Sequence, residues 1–173
     1  MQIETIGSIS EIEDLAADWR KLLNNSTSSV PFLTPEYLAA WWGHLGGGEW
    51  DIGELQVIVA RQEDGRLIGI APLFLTEKPG GETALMFIGS YEISDFLDFI
   101  ARPEDLDDFL RVLYGHLSSP EAPDWDCLDL YNILDDSATL DSLAKLSKES
   151  GWQYRQEQLQ SAPYIPLPES WDD

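Results

Sequence analysis

The sequence predicts an α/β fold: a mixed β-sheet flanked by helices. Two observations carry this. Consecutive strand-like runs are joined by tight-turn signals, as in "LQVIVARQ–EDGR–LIGIAPLFLTE". Further on, strand-like and helix-like runs alternate, as βαβ crossovers require. Hairpins give antiparallel pairs and crossovers give parallel ones, so the sheet must be mixed.

The elements follow in order. Residues 2–7 read as a short strand. Ser10 with Glu13 has capping-box spacing, and Ile12, Leu15, Ala16, Trp19, Leu22 and Leu23 follow at helical intervals. "NNSTSSVP" is a polar loop, and Val30 before Pro31 is biased toward extended geometry. A second helix opens at "TPEY", with Thr34 as cap and Pro35 in the first turn, and the run Gly46-Gly47-Gly48 ends it. Three strands form a meander: the hairpin pair above and then, after "KPGGE", the run "TALMFIGS".

The stretch "YEISDFLDFI" interrupts this pattern, with a strand expected near "FLDFI". A helix is expected from Pro103 to about Leu117, a strand at "WDCLDLYNI" and a helix at "DSATLDSLAKLSKESG" with Gly151 at its end. "WQYRQEQLQ" reads as a strand, and "APYIPLPESWDD" is extended and proline-rich.

Composition narrows the function classes. The chain has 173 residues, 43% of them apolar and 11% aromatic, enough for a packed core without staples. Ten basic residues against 32 acidic ones give a net charge of −22. That excludes phosphate-backbone binding, which needs cations to displace counterions, and argues equally against anionic membranes. The single cysteine, Cys127, rules out an internal disulfide and a multi-cysteine zinc site. Alternation points it inward as a structural thiol. The N-terminus lacks a basic region followed by an apolar run, and no run approaches a membrane span; a cytoplasmic protein is expected.

Ser94, Asp95 and Asp98 are the candidate substrate-binding residues, with Trp42. Two readings stay open for the acids. They are solvent-facing or capping residues around a short strand, or they form a polar floor that touches an acceptor's amine or hydroxyls. In the second, Ser94 and Asp95 orient the acceptor and Asp98 accepts a proton. Trp41 and Trp42 cannot both face one core line, so one is available for stacking on a sugar. His44 and His116 read as cap or surface residues. Catalytic residues stay unassigned, and no metal-ligand pattern, G-x-S-x-G or P-loop is present.

Five words in order carry a family resemblance: "PFLTPEYLAAWW", "DGRLIGIAPLF", "FIGSYEISDFLDFI", "WDCLDL" and "APYIPLPESWDD". Together the chain resembles the N-terminal half of bacterial GNAT-like acetyltransferases identified with cellulose or exopolysaccharide biosynthesis. The resemblance implies a GNAT-like domain over residues 1–162, and residues 163–173 as a proline-rich segment leading to a second GNAT-like half. It implies a tandem architecture related to that of the Fem peptidyltransferases. It further implies acyl transfer from acyl-CoA to an amine or hydroxyl, on a saccharide or amine acceptor, in the complete protein.

The family's pyrophosphate cradle follows the fourth strand and uses Arg or Gln, two residues, Gly, one residue, then Gly or Ala. Nothing of that kind follows "TALMFIGS" here; Glu92, Asp95 and Asp98 stand in or near the place, and the next helix opens "PEDLDD". Acids suit a helix N-terminus but repel a pyrophosphate. The expectation is therefore an acceptor-side half that binds no cofactor by itself. The alternative is a non-enzymatic binding module with a degenerate GNAT fold.

Overall fold

The computed structural model describes residues 1–48, 50, 52–89 and 93–163 of the chain. Glu92 and the apolar strip Tyr164, Ile165, Leu167 and Trp171, expected to face a second half, lie outside the described residues.

Strand β1 (Gln2–Ile6) leads into helix α1 (Ile9–Leu23). The cap is Ser8, not Ser10. Ser8 has extended geometry (φ −140, ψ 154) and accepts from the Glu11 amide at 3.4 Å. The Ser8 hydroxyl donates to the Glu11 carboxylate at 2.6 Å, and the Gly7 amide donates to it at 3.3 Å. Two Ser-x-x-Glu boxes overlap in the sequence; the one nearer β1 is used because the chain is still extended there. Helix α1 buries Ile12, Leu15, Trp19, Leu22 and Leu23, and the Trp19 indole donates to the Leu33 carbonyl at 2.9 Å. That bond holds the 3-10 turn Pro31–Leu33 against α1.

Helix α2 (Pro35–Gly48) opens as expected, with the Thr34 hydroxyl accepting from the Tyr37 amide at 3.4 Å. Right-handed geometry stops at Leu45, where φ turns positive and stays so through Gly46 and Gly47. Strands β2 (Glu54–Arg61) and β3 (Leu67–Glu77) form the antiparallel hairpin, closed by Gly65 at φ 85. Strand β4 (Thr83–Phe87) pairs antiparallel with the second half of β3, from Leu73↔Phe87 to Glu77↔Thr83.

The first half of β3 pairs instead with β5 (Ile100–Ala101), at Gly69↔Ala101 and Ile70↔Ile100. Strands β4 and β5 thus lie along one edge of β3 as a single strand interrupted by an excursion. The Ile88 amide still reaches the Pro72 carbonyl at 2.9 Å before the chain leaves. The strand expected at "FLDFI" is limited to its last residue and the one after, because the rest belongs to the excursion.

Helix α3 (Leu106–Leu117) follows, then β6 (Cys127–Asp129), which pairs parallel with β4, and helix α4 (Ala138–Ser150). Gly151 ends α4 in left-handed geometry (φ 74). Among the described residues the fold is thus α/β, a mixed sheet of six strands flanked by four helices. Its order is β1-β2-β3-β4-β6, with β5 beside β3. Almost every β3 side chain is buried, so helices cover both faces of the sheet's centre. On one face, α3 brings the Phe109 ring directly over Gly69.

Three expectations are corrected. Residues 152–160 form no strand with the described residues: Trp152 is held by rings, stacked on Tyr114 at 4.3 Å and edge-on to Trp125 at 5.1 Å, and no ladder among the described residues includes the chain beyond. Strand β6 is far shorter than "WDCLDLYNI": its pairing with β4 stops at Met86↔Asp129. Cys127 is half-buried, not enclosed.

Candidate functional site

The excursion between β4 and β5 is fixed at two polar points. The first is Ser94, 1% exposed. Its hydroxyl donates to the Gly89 carbonyl at 2.7 Å and meets the Tyr37 hydroxyl of α2 at 2.8 Å. The Asn132 side-chain amide donates to the Ser94 carbonyl at 2.6 Å. The second is Asp98, also 1% exposed. Its carboxylate accepts four hydrogen bonds: from the hydroxyls of Ser28 (2.6 Å), Ser137 (2.7 Å) and Thr139 (2.6 Å), and from the Phe99 amide (2.8 Å).

A buried carboxylate persists only when its lone pairs are met, and here they are met by neutral donors. Ser28 comes from the loop after α1. Ser137 caps α4, and Thr139 lies in that helix's first turn. Asp98 therefore joins three separate parts of the chain. The expectation of a solvent-facing Asp98 is thereby corrected: the side chain is buried, and its carboxylate is engaged by these four donors. Asp95 is exposed, as a solvent-facing acid should be.

Trp42 is half-buried at the other side of α2's face, its ring 5.8 Å from that of Phe74. Trp41 is 5% exposed and Trp50 also packs on Phe74, so the three indoles surround one core phenylalanine. Trp42 is thus not grouped with Ser94, Asp95 and Asp98. His44 is exposed, and His116 is half-buried with its Nε2 3.5 Å from the Thr5 hydroxyl.

Directly against the Asp98 junction lies a cleft of about 480 Å³. Its polar wall is Thr27, Ser28, Ser29 and Ser137, with the Asp136 carboxylate beside them. Its apolar wall is Val30, Phe96, Leu97, Pro103 and Leu134. The volume suits a small ligand, and the mixture of an apolar platform with a few polar groups is what such sites use. No lysine or arginine lines it. Thr27 Oγ1 is buried and, among the described residues, has no hydrogen-bond partner.

Ser28, Ser29, Asp136 and Ser137 were not singled out from the sequence. A signal existed in the two hydroxyl-rich loops "NNSTSSVP" and "DDSAT", but nothing in the sequence places them side by side. Asp98, which does so, stands out in the sequence, but nothing there shows that it joins these loops.

Arg66, Arg102 and Lys78 are held in ion pairs within the fold. Arg66 clasps Asp105 through two hydrogen bonds of 2.6 and 3.0 Å, and Arg102 reaches the same carboxylate at 3.3 Å. The Arg66 hydrogen bonds outweigh the desolvation of burial, so Asp105 titrates below its ordinary value. Lys78 donates to Asp129 at 2.5 Å, which raises the ammonium's pKa. Burial raises the Cys127 thiol, more than nearby Lys78 lowers it, so the thiol is a poor nucleophile.

No helix among the described residues is long and apolar enough to cross a membrane. No protein-family model matches the chain. No curated protein matches it either. Among solved structures, the chain is similar to a point mutant of the BH1408 protein of Bacillus halodurans, at 15% identity and a TM-score of 0.46, over 95% of this chain and 100% of the other. It is also similar to YycN of Bacillus subtilis, described provisionally as an acetyltransferase, at 14% identity and a TM-score of 0.37, over the same shares of the two chains.

Proposed function

We propose that this chain is the acceptor-binding half of a GNAT-type acyltransferase and that the cleft beside Asp98 holds the acceptor. The observation that carries the reading is the composition of that cleft: three serine hydroxyls, one carboxylate and an apolar platform, with no cation. Such a wall accepts a hydroxylated or amine-bearing molecule, a saccharide or amino sugar. It repels a phosphate. In the complete enzyme a second GNAT-like half would bring acyl-CoA to this acceptor, in the cytoplasm.

The same chain is a poor CoA site. With β4 and β5 acting as one interrupted strand, the turn that would cradle a pyrophosphate is the one entering α3. That helix opens with Glu104, Asp105, Asp107 and Asp108, and the nearby Arg66 and Arg102 are already committed to Asp105. Acidic residues stand there in place of small ones.

The reading is tested by calorimetry on the purified chain, with glucosamine and acetyl-CoA as probes. Glucosamine is expected to bind weakly, near a millimolar Kd or about −4.1 kcal/mol, and acetyl-CoA not to bind. Stoichiometric acetyl-CoA binding near a micromolar Kd, about −8.2 kcal/mol, would overturn it.

A further inference from the structure

Two of the hydroxyls that line the cleft have their direction set by Asp98. Ser28 and Ser137 both donate to one oxygen of its carboxylate, Oδ2, at 2.6 and 2.7 Å, and both serines line the cleft. A hydroxyl has one hydrogen and two lone pairs, and a carboxylate only accepts. Each serine has therefore committed its hydrogen to Asp98. Ser137 Oγ also accepts from the Thr139 amide at 3.2 Å. What these two oxygens can still offer a ligand is a lone pair, not a proton. Turning either hydroxyl outward to donate would take a donor away from a buried anion, which is unfavourable.

The surroundings reinforce this polarity. A hydroxyl that donates to an anion becomes a better acceptor, because bonded groups polarise one another. Asp98 is buried just behind the two oxygens, and its four donors are all neutral, so its charge is shared among them and still acts on the cleft. Asp136, exposed on the same wall, is a second group that only accepts. Ser28 Oγ and Ser137 Oγ are bound to the same oxygen. They are thus close enough for one ammonium, with N–H···O bonds of about 2.8 Å, to span. The apolar wall of Val30, Phe96 and Leu134 is left for a carbon skeleton.

We infer that the cleft selects its ligand by hydrogen-bond donors carried on a cation, and that Asp98 sets this preference from behind, through Ser28 and Ser137. The inference rests on the reading of the cleft as the acceptor site and narrows it. Asp98 is a positioning residue that the ligand does not touch. The ligand's ammonium meets the two serine oxygens, with the Asp136 carboxylate beside it.

The test compares two sugars of equal charge by calorimetry on the full chain. Glucosamine presents an ammonium with three N–H donors at neutral pH. N,N,N-trimethylglucosamine keeps the ring and the charge but has no N–H. Glucosamine is expected to bind more tightly by about tenfold. Ser28→Ala removes one of the two acceptors and is expected to cut that ratio to about threefold, by weakening glucosamine alone. Damage to the fold would instead weaken both sugars and leave the ratio as it was. Asp98→Asn brings an NH₂ that donates to a serine oxygen and turns that hydroxyl's hydrogen into the cleft, so the ratio should fall again. If that variant does not fold, Ser28→Ala decides. Equal binding of the two sugars to the unmodified chain would overturn the inference and leave the acceptor site standing. Binding of neither would overturn both. A ratio that survives Ser28→Ala unchanged would assign the preference to the bulk of the methyl groups, and would overturn the inference as well.

Discussion

The hydroxyl of Ser28 donates to the buried carboxylate of Asp98 at 2.6 Å, across 70 residues of sequence. The contact joins the loop after α1 to the excursion between β4 and β5, and Asp98 extends the joint to α4 through Ser137 and Thr139. Removing this acceptor strands three hydroxyls and an amide, each costing about 1–3 kcal/mol if left unmet. Asp98→Ala is expected to lower stability by about 3 kcal/mol or more. Asp98→Asn is expected to lose a large part of that, since its NH₂ faces donors. Exposed Asp95→Asn should stay within about 0.5 kcal/mol. Urea unfolding checks this: the midpoint shifts with the slope unchanged. A normal midpoint for Asp98→Asn would return the residue to a role in binding.

A second prediction concerns Gly69, where β3 meets β5. A Cβ there would lie 2.1 Å from the ring of Phe109, which is fully buried. The ring must move, and a close-packed core gives it little room. Gly69→Ala is expected to cost about 1–3 kcal/mol or more. Phe109→Leu costs stability by itself, but the pair should cost less than the sum. A double-mutant cycle by thermal melting measures this coupling, and strict additivity would count against the close approach.

The acid limb of stability gives a third. Asp105 is held below its ordinary value of 3.8, first by the hydrogen bonds from Arg66. A group whose folded pKa is depressed stabilises the fold above its unfolded pKa. That contribution fades as pH falls through the lower, folded value. The wild-type chain should therefore lose this share of stability below about pH 4. Asp105→Asn should be less stable at pH 7 and show a flatter decline on acidification. Parallel curves for the two proteins would mean that the Arg66 pair contributes nothing net.

How much of this was legible follows from locality. The hairpin at "EDGR", the cap at Thr34 and the stop at Gly151 were readable because each depends on a few adjacent residues. The Ser8 cap was misplaced by two residues because two boxes overlap and only the end of β1 decides between them. The interrupted strand was not legible: β4 and β5 are one edge only because β3 is long enough to pair with both. Residues 152–160 have strand composition, but a strand also needs a neighbour, which propensity does not supply. At the site, "ISDFLD" stood out as unusual, but the burial of Asp98 depends on Ser28, Ser137 and Thr139, which are distant in sequence.

The last prediction separates the cleft's charge from its shape. Asp136 lines the cleft, is exposed, and sits one residue before the Ser137 cap. Among the described residues its carboxylate holds no hydrogen bond or ion pair, so Asp136→Asn should melt within about 0.5 kcal/mol of the wild type. Its effect on ligands should depend on their charge. A charge-assisted hydrogen bond contributes about 1.5–3 kcal/mol, and solvent exposure places this one at or below the lower end. Glucosamine, protonated at neutral pH, is therefore expected to bind about tenfold more weakly to the variant. Methyl glucoside, which has the same ring without the charge, should bind both proteins alike. Calorimetry at two salt concentrations completes the test, because only the glucosamine difference should shrink as salt rises. An equal loss for both sugars would make Asp136 a neutral hydrogen-bonding group. No loss for either would remove it from the acceptor site altogether.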